Sequence, residues 1–228
     1  MCGRYTYVDA DGVLRFILGF TQKSKMRPVS KEPWIKPNYN AAIGNGHPIV
    51  MNNGEAAIAQ WSLVPSWSPT KQLSYSTFNA KAETLTSTKV FGPLVKYRRC
   101  AVPADGFIEF RHEGRKKIPY HLRLKSREVF CFAGLWDTWM DELLSYTIIT
   151  TSPNELVKPL HHRMAVVLRA TDCPEWLETG NLSLLKPFPA DEMEAVEINP
   201  IVNSVSNNEP KCLQPPPPEP EPQQQSLF

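Results

Sequence analysis

Short stretches of apolar residues, some alternating with polar residues, recur along the first 203 positions of the chain. Period-two alternation and short apolar runs bounded by turn residues are typical of β-strands. Glycine, proline, asparagine and aspartate separate the runs, as in Asn52-Asn53-Gly54 and Asp105-Gly106. The pattern predicts strands over residues 49–51, 57–63, 100–110, 120–124, 129–136, 146–151 and 164–168.

Helical periodicity is less common than strand periodicity. It is found over residues 13–18, 89–97, 173–178 and 191–195. Because so few helices lie between the strands, a regular βαβ sheet is not expected. We therefore predict a single compact α+β domain over residues 2–203, built around a mainly antiparallel, barrel-like β-sheet with peripheral helices.

The composition changes sharply after Asn203. Residues 204–228 are rich in serine and asparagine, and then in proline, glutamate and glutamine. Such a segment buries too little apolar surface to offset the conformational entropy lost on ordering, so a disordered, extended tail is predicted. The tail nevertheless ends in Leu227 and Phe228, two large apolar residues at its very tip.

Overall composition narrows the class of protein. Hydrophobic residues make up 42% of the 228 positions and charged residues 21%, as in globular proteins. The absence of a signal peptide or a long apolar run predicts a cytoplasmic, unanchored protein. Five widely spaced cysteines predict neither a disulfide framework nor a zinc site. A net charge of +2 neither requires nor excludes nucleic acid, so any phosphate binding must come from a local patch.

The second residue carries the most distinctive chemistry. Removal of Met1 leaves Cys2 with a free α-amine of pKa roughly 7.7–8.0 and a thiol of pKa roughly 8.5. Both groups are then partly nucleophilic near neutral pH, and Arg4 is a nearby cation that favours the thiolate. A 1,2-aminothiol condenses with an aldehyde to an imine and closes to a thiazolidine, or its thiol attacks an acyl carbon. The alternative is an accidental cysteine on a frayed terminus.

Further polar residues stand within apolar surroundings, and each has a structural alternative. Glu109 alternates with aromatic residues, so it is either a catalytic carboxylate or the solvent-facing position of a strand. His161 is either a proton-transfer group or a core histidine. Asn79 fits a turn cap as well as a site, and Trp61 and Trp67 fit a core as well as a stacking platform.

Together these residues resemble the SOS response-associated peptidase (SRAP) family of abasic-site processing proteins. The resemblance extends from Cys2 to about Asn203. Its motifs, in family order, are Met-Cys-Gly-Arg at the N-terminus, Tyr39-Asn40, Trp61 to Trp67, Asn79-Ala80-Lys81-x-Glu83, Pro103-Ala104-Asp105-Gly106-Phe107-x-Glu109 and His161-x-Arg163-Met164. Several spaced motifs in one order are far more specific than any one of them.

The resemblance implies a single α+β domain that binds single-stranded DNA and captures the ring-opened aldehyde of an abasic site as a thiazolidine DNA–protein crosslink. It implies that Cys2 is the nucleophile and that Asn79 holds the amine or the deoxyribose. Glu109 would be the acid and base for ring opening, imine formation and release, and His161 a second proton-transfer group. Self-removal of Met1 is the peptidase activity implied by the family name, and removal by an aminopeptidase is the alternative.

The resemblance also implies contacts with DNA. Phosphate contacts are expected from Arg4, Lys81, Thr150 and Arg163, and base stacking from Trp67. Lys81 stands where the family usually has arginine, which keeps the charge but loses bidentate geometry. We expect this departure to affect affinity more than chemistry. Neither a metal nor a cofactor is implied, and a monomer is expected.

The last residues resemble the pentapeptide with which bacterial proteins bind the sliding clamp, usually Gln-Leu-Ser/Asp-Leu-Phe. The matching positions are Gln224, Ser226, Leu227 and Phe228, and Gln225 replaces the usual leucine. A terminal Leu-Phe pair can fill an apolar pocket while the Pro/Glu segment supplies reach. The resemblance implies a tether that keeps the protein near replicating DNA, at the nucleoid. The alternative is a solubilising tail with no partner.

Two other functions fit part of the sequence. An N-terminal-nucleophile glutamine amidotransferase also begins Met-Cys-Gly, but Arg4 and Tyr5 replace the small apolar residues expected there. A non-catalytic DNA-binding adaptor tied to the clamp would leave Cys2 inert. Glutamine hydrolysis distinguishes the first function, and DNA binding unaffected by Cys2→Ala without a covalent product distinguishes the second.

Overall fold

The strands account for most of the regular structure. A computed structural model describes residues 3–20 and 35–218. Its strands are β1 (Arg4–Tyr7), β2 (Asn38–Ala42), β3 (Gly46–Met51), β4 (Ala56–Trp61), β5 (Asn79–Lys81), β6 (Arg99–Ala104), β7 (Gly106–Glu113), β8 (Lys116–Leu124), β9 (Phe130–Trp139), β10 (Leu143–Thr151), β11 (Met164–Ala165), β12 (Val167–Leu168) and β13 (Met193–Glu197). Each predicted strand has a counterpart, but two of the runs are each divided into two strands. Residues 100–110 form β6 and β7, and residues 164–168 form β11 and β12.

The α-helices are peripheral and short. They are α1 (Ala10–Phe20), α2 (Gly92–Tyr97) and α3 (Cys173–Thr179). Short 3₁₀ helices cover Ala82–Ser87, Leu182–Leu184, Ala190–Glu192, Pro200–Asn203 and Pro210–Leu213. The helix predicted over residues 191–195 is wrong, because most of that segment pairs with β8 as strand β13. Within the described residues, no helix is long and apolar enough to cross a membrane.

Two β-sheets form one α+β domain. The first sheet has the order β13-β8-β7-β1-β2 and is antiparallel throughout. In the second sheet, β10-β4-β3-β6-β9 closes into a five-stranded barrel because β9 also pairs with β10. The pairings of β10 with β4 and β5 are parallel and the others in this sheet are antiparallel. The predicted barrel-like, mainly antiparallel architecture is confirmed.

The core lies between the two sheets and inside the barrel. Tyr5 of β1 links the sheets, since its hydroxyl bonds to the Tyr146 hydroxyl at 2.9 Å and its ring meets the edge of Trp61. All three side chains are fully buried. The indole N–H of Trp61 donates to the carbonyl of Phe78 at 2.8 Å. Trp61 is therefore a core residue and not a stacking platform.

Residues beyond Asn203 pack against the domain. Cys212 and Val202 are buried with Ile108 on the outer face of the first sheet. The backbone N–H of Asn199 donates to the carbonyl of Gln214 at 2.8 Å. Residues 204–214 therefore cover an apolar patch of the domain that composition alone did not reveal.

One disulfide lies in the core. Cys131 of β9 and Cys173 of α3 are joined, and both are fully buried. The sequence did not predict this bond, because the two cysteines are 42 positions apart and their spacing matches no motif. Cys100 and Cys212 are buried free thiols.

Candidate active site

A buried carboxyl group marks one wall of the site. Glu109 lies on β7 and is 2% exposed, so the alternative of a solvent-facing position is excluded. Its Oε1 atom has no hydrogen-bond partner within the described part of the chain. Burial raises the pKa of Glu109 to about 7. A carboxyl with this pKa can both donate and accept a proton at neutral pH.

The start of the chain runs alongside Glu109. Tyr5 pairs with Phe107 and Thr6 with Gly106 in the antiparallel ladder of β1 and β7. Continuing this register by two residues sets Gly3 opposite Glu109. Cys2 itself lies outside the described residues. Gly106 is required here, because a Cβ atom at this position would lie 2.0 Å from Nε2 of His121.

Strand β10 gathers two of the sequence motifs at its C-terminal end. On one edge, Asn79 and Lys81 of β5 pair with Ile148 and Thr150. On the other edge, Thr150 pairs with Ala165 of β11, two residues after Arg163. Segments up to about 80 positions apart in sequence therefore meet at one point. The Asn79 side chain is partly buried in a strand, which excludes the turn-cap alternative.

The basic residues at the C-terminal end of β10 differ in how accessible they are to a ligand. Lys81 is exposed. Arg163 forms a bidentate ion pair with Glu83, at 2.7 and 2.8 Å, and also donates to the carbonyl of Thr150 at 2.7 Å. The hydrogen bonds from Arg163 lower the pKa of Glu83. Thr150 is fully buried and its hydroxyl donates to the carbonyl of Ala80 at 3.3 Å.

His161 lies in the loop that leads into β11. Burial is the main cause that lowers its pKa to about 4, and the charges of His162 and His112 contribute in the same direction. The backbone N–H of Arg163 donates to Nδ1 of His161 at 3.0 Å. The ring is therefore neutral at pH 7. Nδ1 also lies 3.2 Å from the carbonyl oxygen of Arg163. Its structural alternative, a core histidine, is not observed, because the ring is only partly buried.

The pKa values distinguish the two expected proton-transfer groups, Glu109 and His161. The intrinsic pKa of histidine, near 6.5, suggested His161 as the proton shuttle at neutral pH. In the structure, burial moves the carboxyl of Glu109 into the neutral range and moves the imidazole of His161 out of it. Glu109 is the group of this pair that titrates near pH 7.

Arg4 is held by other parts of the chain. One of its guanidinium nitrogens donates to Oδ1 of Asn40 at 2.7 Å and to the carbonyl of Val202 at 3.0 Å. Asn40 is 3% exposed, and its amide donates to the carbonyls of Val202, Ser204 and Asn207. Asn40 therefore joins β2, Arg4 and the C-terminal segment. The sequence motif that contains Asn40 gave no sign of this role.

Trp67 lies apart from the other predicted residues. It is 60% exposed, which excludes a core position. The loop on either side of it is anchored on β9, where Oδ2 of Asp137 accepts from the backbone N–H of Ser66 and the Trp139 indole donates to the carbonyl of Ser68. Asp137 pairs with Ser145, which lies five residues before Thr150 on β10, or about 16 Å along the strand.

The chain matches the SRAP model, SOS response associated peptidase, over residues 1–205. It belongs to the SRAP family. The abasic site processing protein YoqW of Bacillus subtilis is 34% identical over 229 residues, which cover 94% of this chain and 99% of YoqW. The abasic site processing protein HMCES of Gallus gallus is 27% identical, covering 94% of this chain and 78% of HMCES.

Solved structures support the SRAP fold. A crystal structure of a protein from Bacteroides thetaiotaomicron has a TM-score of 0.76 and 25% identity, covering 94% of this chain and 99% of that one. A protein from Bordetella bronchiseptica gives a TM-score of 0.71 at 22% identity, covering 87% of this chain and 100% of that one, which shows the fold alone. The motifs that suggested the SRAP family from sequence thus lie in one fold, and those around Gly3, Asn79, Glu109 and Arg163 flank strands of its two sheets.

Proposed function

We propose that this protein processes abasic sites in single-stranded DNA by capturing their aldehyde on Cys2 as a thiazolidine crosslink. The buried carboxyl of Glu109 carries the proposal, because its pKa of about 7 suits acid–base chemistry beside the strand that follows Cys2. Family membership and relatives named abasic site processing proteins support the substrate class.

The proposed reaction has two bond-forming steps. The α-amine of Cys2 adds to C1′ of the ring-opened sugar, and protonated Glu109 gives its proton to the departing hydroxyl, so water leaves and an imine forms. The imine forms in its protonated state, and the Cys2 thiolate then adds to its carbon, so the ring nitrogen becomes neutral and keeps one proton. His161 forms a hydrogen bond with a sugar oxygen, and Asn79 orients the sugar or the amine. Reversal uses the same groups, which gives the protein lyase-type character.

Removal of Met1 must precede this chemistry, since it exposes the α-amine of Cys2. The chain itself removes Met1 in this mechanism, which is the peptidase activity that the family name implies. The crosslink shields the abasic site from strand cleavage and error-prone bypass during replication. The same residues that release the DNA aldehyde also suit hydrolysis of a peptide bond at Cys2.

DNA is bound through phosphates in this proposal. Lys81 is exposed beside Thr150 and supplies a direct contact. Arg163 contacts a phosphate only if its ion pair with Glu83 rearranges. Trp67 offers an exposed ring for stacking with bases farther along the strand. Thr150 supports the site through its backbone carbonyl, which binds Arg163.

Denaturing electrophoresis with single-stranded DNA carrying one abasic site tests the function. The protein should give a heat-stable band of lower mobility, and intact mass should show that Met1 is absent. Cys2→Ser keeps the amine and removes the thiol, so it should give a band only after borohydride reduction of the imine. A borohydride-independent band with Cys2→Ser, or no band with a free Cys2, would overturn the mechanism and direct attention to glutamine hydrolysis.

The C-terminal residues supply a second, separable activity in the proposal. Gln224, Ser226, Leu227 and Phe228 match a sliding-clamp-binding peptide, and they lie outside the described residues. Pro216, Pro217 and Pro218 line a cleft of about 630 Å³ beside Lys116 and Lys117, so the described chain ends next to the β7–β8 hairpin. Binding of a peptide of residues 219–228 to a bacterial clamp, lost in Leu227→Ala/Phe228→Ala, is the expected result. Equal binding by the variant peptide would contradict it.

A further inference from the structure

A strongly basic hairpin lies next to the candidate active site. The tip of the β7–β8 hairpin reads Arg111-His112-Glu113-Gly114-Arg115-Lys116-Lys117 and holds four basic residues and one acidic residue. Its net charge of +3 exceeds the +2 of the whole chain, so the remaining residues sum to −1. Residues 112–117 are all exposed. We call residues 111–117 the β7–β8 arm.

The arm projects beyond the sheet that carries it. Within the described residues, β1 pairs with β7 at Gly106 and Phe107, and β13 pairs with β8 from Tyr120 to Leu124. The ladder of β7 and β8 continues past these neighbours to Glu113 and Lys116. A two-stranded ribbon that leaves its sheet can reach a ligand that the sheet itself does not touch.

The arm also begins two residues after Glu109, the carboxyl proposed for acid–base chemistry. Arg111 lies two residues after Glu109, so both side chains project from the same face of β7, with Cα atoms about 7 Å apart. The guanidinium of Arg111 lies over the ring of Tyr120, 5.3 Å from its centroid, and Tyr120 pairs with Glu109 across the ladder. The charge of His112 also adds to the effect of burial on the pKa of His161. The arm and the two titrating groups are therefore neighbours.

The net charge of +3 gives the arm a positive potential. Across the ladder, Arg111 faces Ile118, His112 faces Lys117 and Glu113 faces Lys116. The ion pair of Arg111 with Glu113, at 3.0 Å, offsets one charge of the arm. A row of cations at one edge of a site favours a polyanion, and an extended phosphate backbone presents a matching row of negative charges.

We infer that the β7–β8 arm binds the phosphate backbone of the DNA strand on one side of the abasic site. This inference rests on the proposed function and extends it, since it adds a phosphate contact outside the residues that the family motifs mark. The arm recognises charge and not sequence. Its role is to hold the flanking strand so that the abasic sugar stays at Cys2 and Glu109.

A matched pair of charge variants tests the arm. Lys116→Gln/Lys117→Gln removes two charges from it, and Lys125→Gln/Lys186→Gln removes two exposed charges elsewhere. Lys125 lies nine residues after Lys116, just beyond the opposite end of β8, about 30 Å away. All four lysines are exposed, so neither variant is expected to disturb folding.

Fluorescence anisotropy with single-stranded DNA that lacks an abasic site measures the contribution of the arm to DNA binding separately from crosslinking. For the arm variant we expect a Kd about tenfold higher at low salt and a salt slope smaller by roughly 1.4, from about 0.7 per phosphate. In crosslinking below saturation with DNA that carries one abasic site, methylphosphonate linkages in the flank that the arm binds should slow the wild type by a similar factor and have little further effect on the arm variant. The control variant should bind as the wild type does.

The yield of crosslinking at saturating abasic DNA tests the proposed function independently of the arm. The arm variant should reach the wild-type yield, because Cys2 and Glu109 are unchanged. Wild-type affinity and salt slope in the arm variant, or an equal loss in the control variant, would overturn the inference. Failure of every variant to crosslink, with the affinity difference intact, would overturn the proposed function but leave the arm as a DNA contact.

Discussion

Replacing Glu109 with glutamine should stabilise the protein at high pH but not at low pH. Glu109 is 2% exposed, and burial raises its pKa from 4.5 to about 7. The folded state therefore holds this proton more tightly than the unfolded state. Stability is lost as the pH rises from 4.5 towards 7, and the loss is complete above pH 7. A glutamine side chain is neutral at every pH, so Glu109→Gln removes this loss.

The magnitude follows from the two pKa values. They imply a penalty of about 3 kcal/mol at pH 8 and less than about 1 kcal/mol at pH 5. The free energy of unfolding of Glu109→Gln, relative to wild type, should thus increase by about 2 kcal/mol between pH 5 and pH 8. Substitution of a functional residue is expected to stabilise a protein when the fold buries a charged group that is more stable in water.

Urea unfolding at pH 5 and pH 8, followed by fluorescence of the six tryptophans, measures this difference. Glu178→Gln, at an exposed position on α3, controls for the general effect of removing a carboxylate. An equal difference from wild type at both pH values would refute the argument that burial controls the protonation of Glu109. A variant less stable than wild type at pH 8 would refute it as well.

Three further results are expected. The single-turnover rate of crosslinking should show an inflection near pH 7 that persists in His161→Ala and disappears in Glu109→Gln, because His161 titrates near pH 4. Arg99→Met should lower the free energy of unfolding by about 3 kcal/mol, because Arg99 binds five backbone carbonyls at the ends of α2 and α3. Arg98→Met, at a more exposed position, should lower the free energy of unfolding by less in the same denaturation assay. A chain ending at Asn203 should melt several degrees below a chain ending at Pro218, because it lacks the buried Cys212 and the bonds of residues 204–214. Equal melting temperatures would show that this segment does not stabilise the domain.

Local pattern predicted much of the secondary structure. The periodicity found most strands and the helices α1, α2 and α3, because each depends on neighbours a few positions away. It failed over residues 191–195, where pairing with β8 overrides helical propensity. It also missed β1 and β2, since each is short and takes its stability from its partners in the sheet.

The family resemblance proposed the site residues, but not the state of their groups. It pointed to Asn79, Glu109 and His161, and the fold brings Asn79, Lys81 and Arg163 to one end of β10. The motifs did not reveal that Arg163 pairs with Glu83 or that Thr150 is buried. They also did not reveal the arm as a neighbour of Glu109, because a charged turn in a sequence usually means only a solvated surface.

The sequence by itself determined the family, the strand-rich α+β class and the identity of the chemical groups, because these depend on residue type, order and short-range periodicity. Only the tertiary structure decided which group titrates near neutral pH. The pKa of Glu109 is raised and that of His161 is lowered by atoms that the fold brings from distant parts of the chain. Desolvation depends on what surrounds a group in space, and a linear sequence does not contain that information directly.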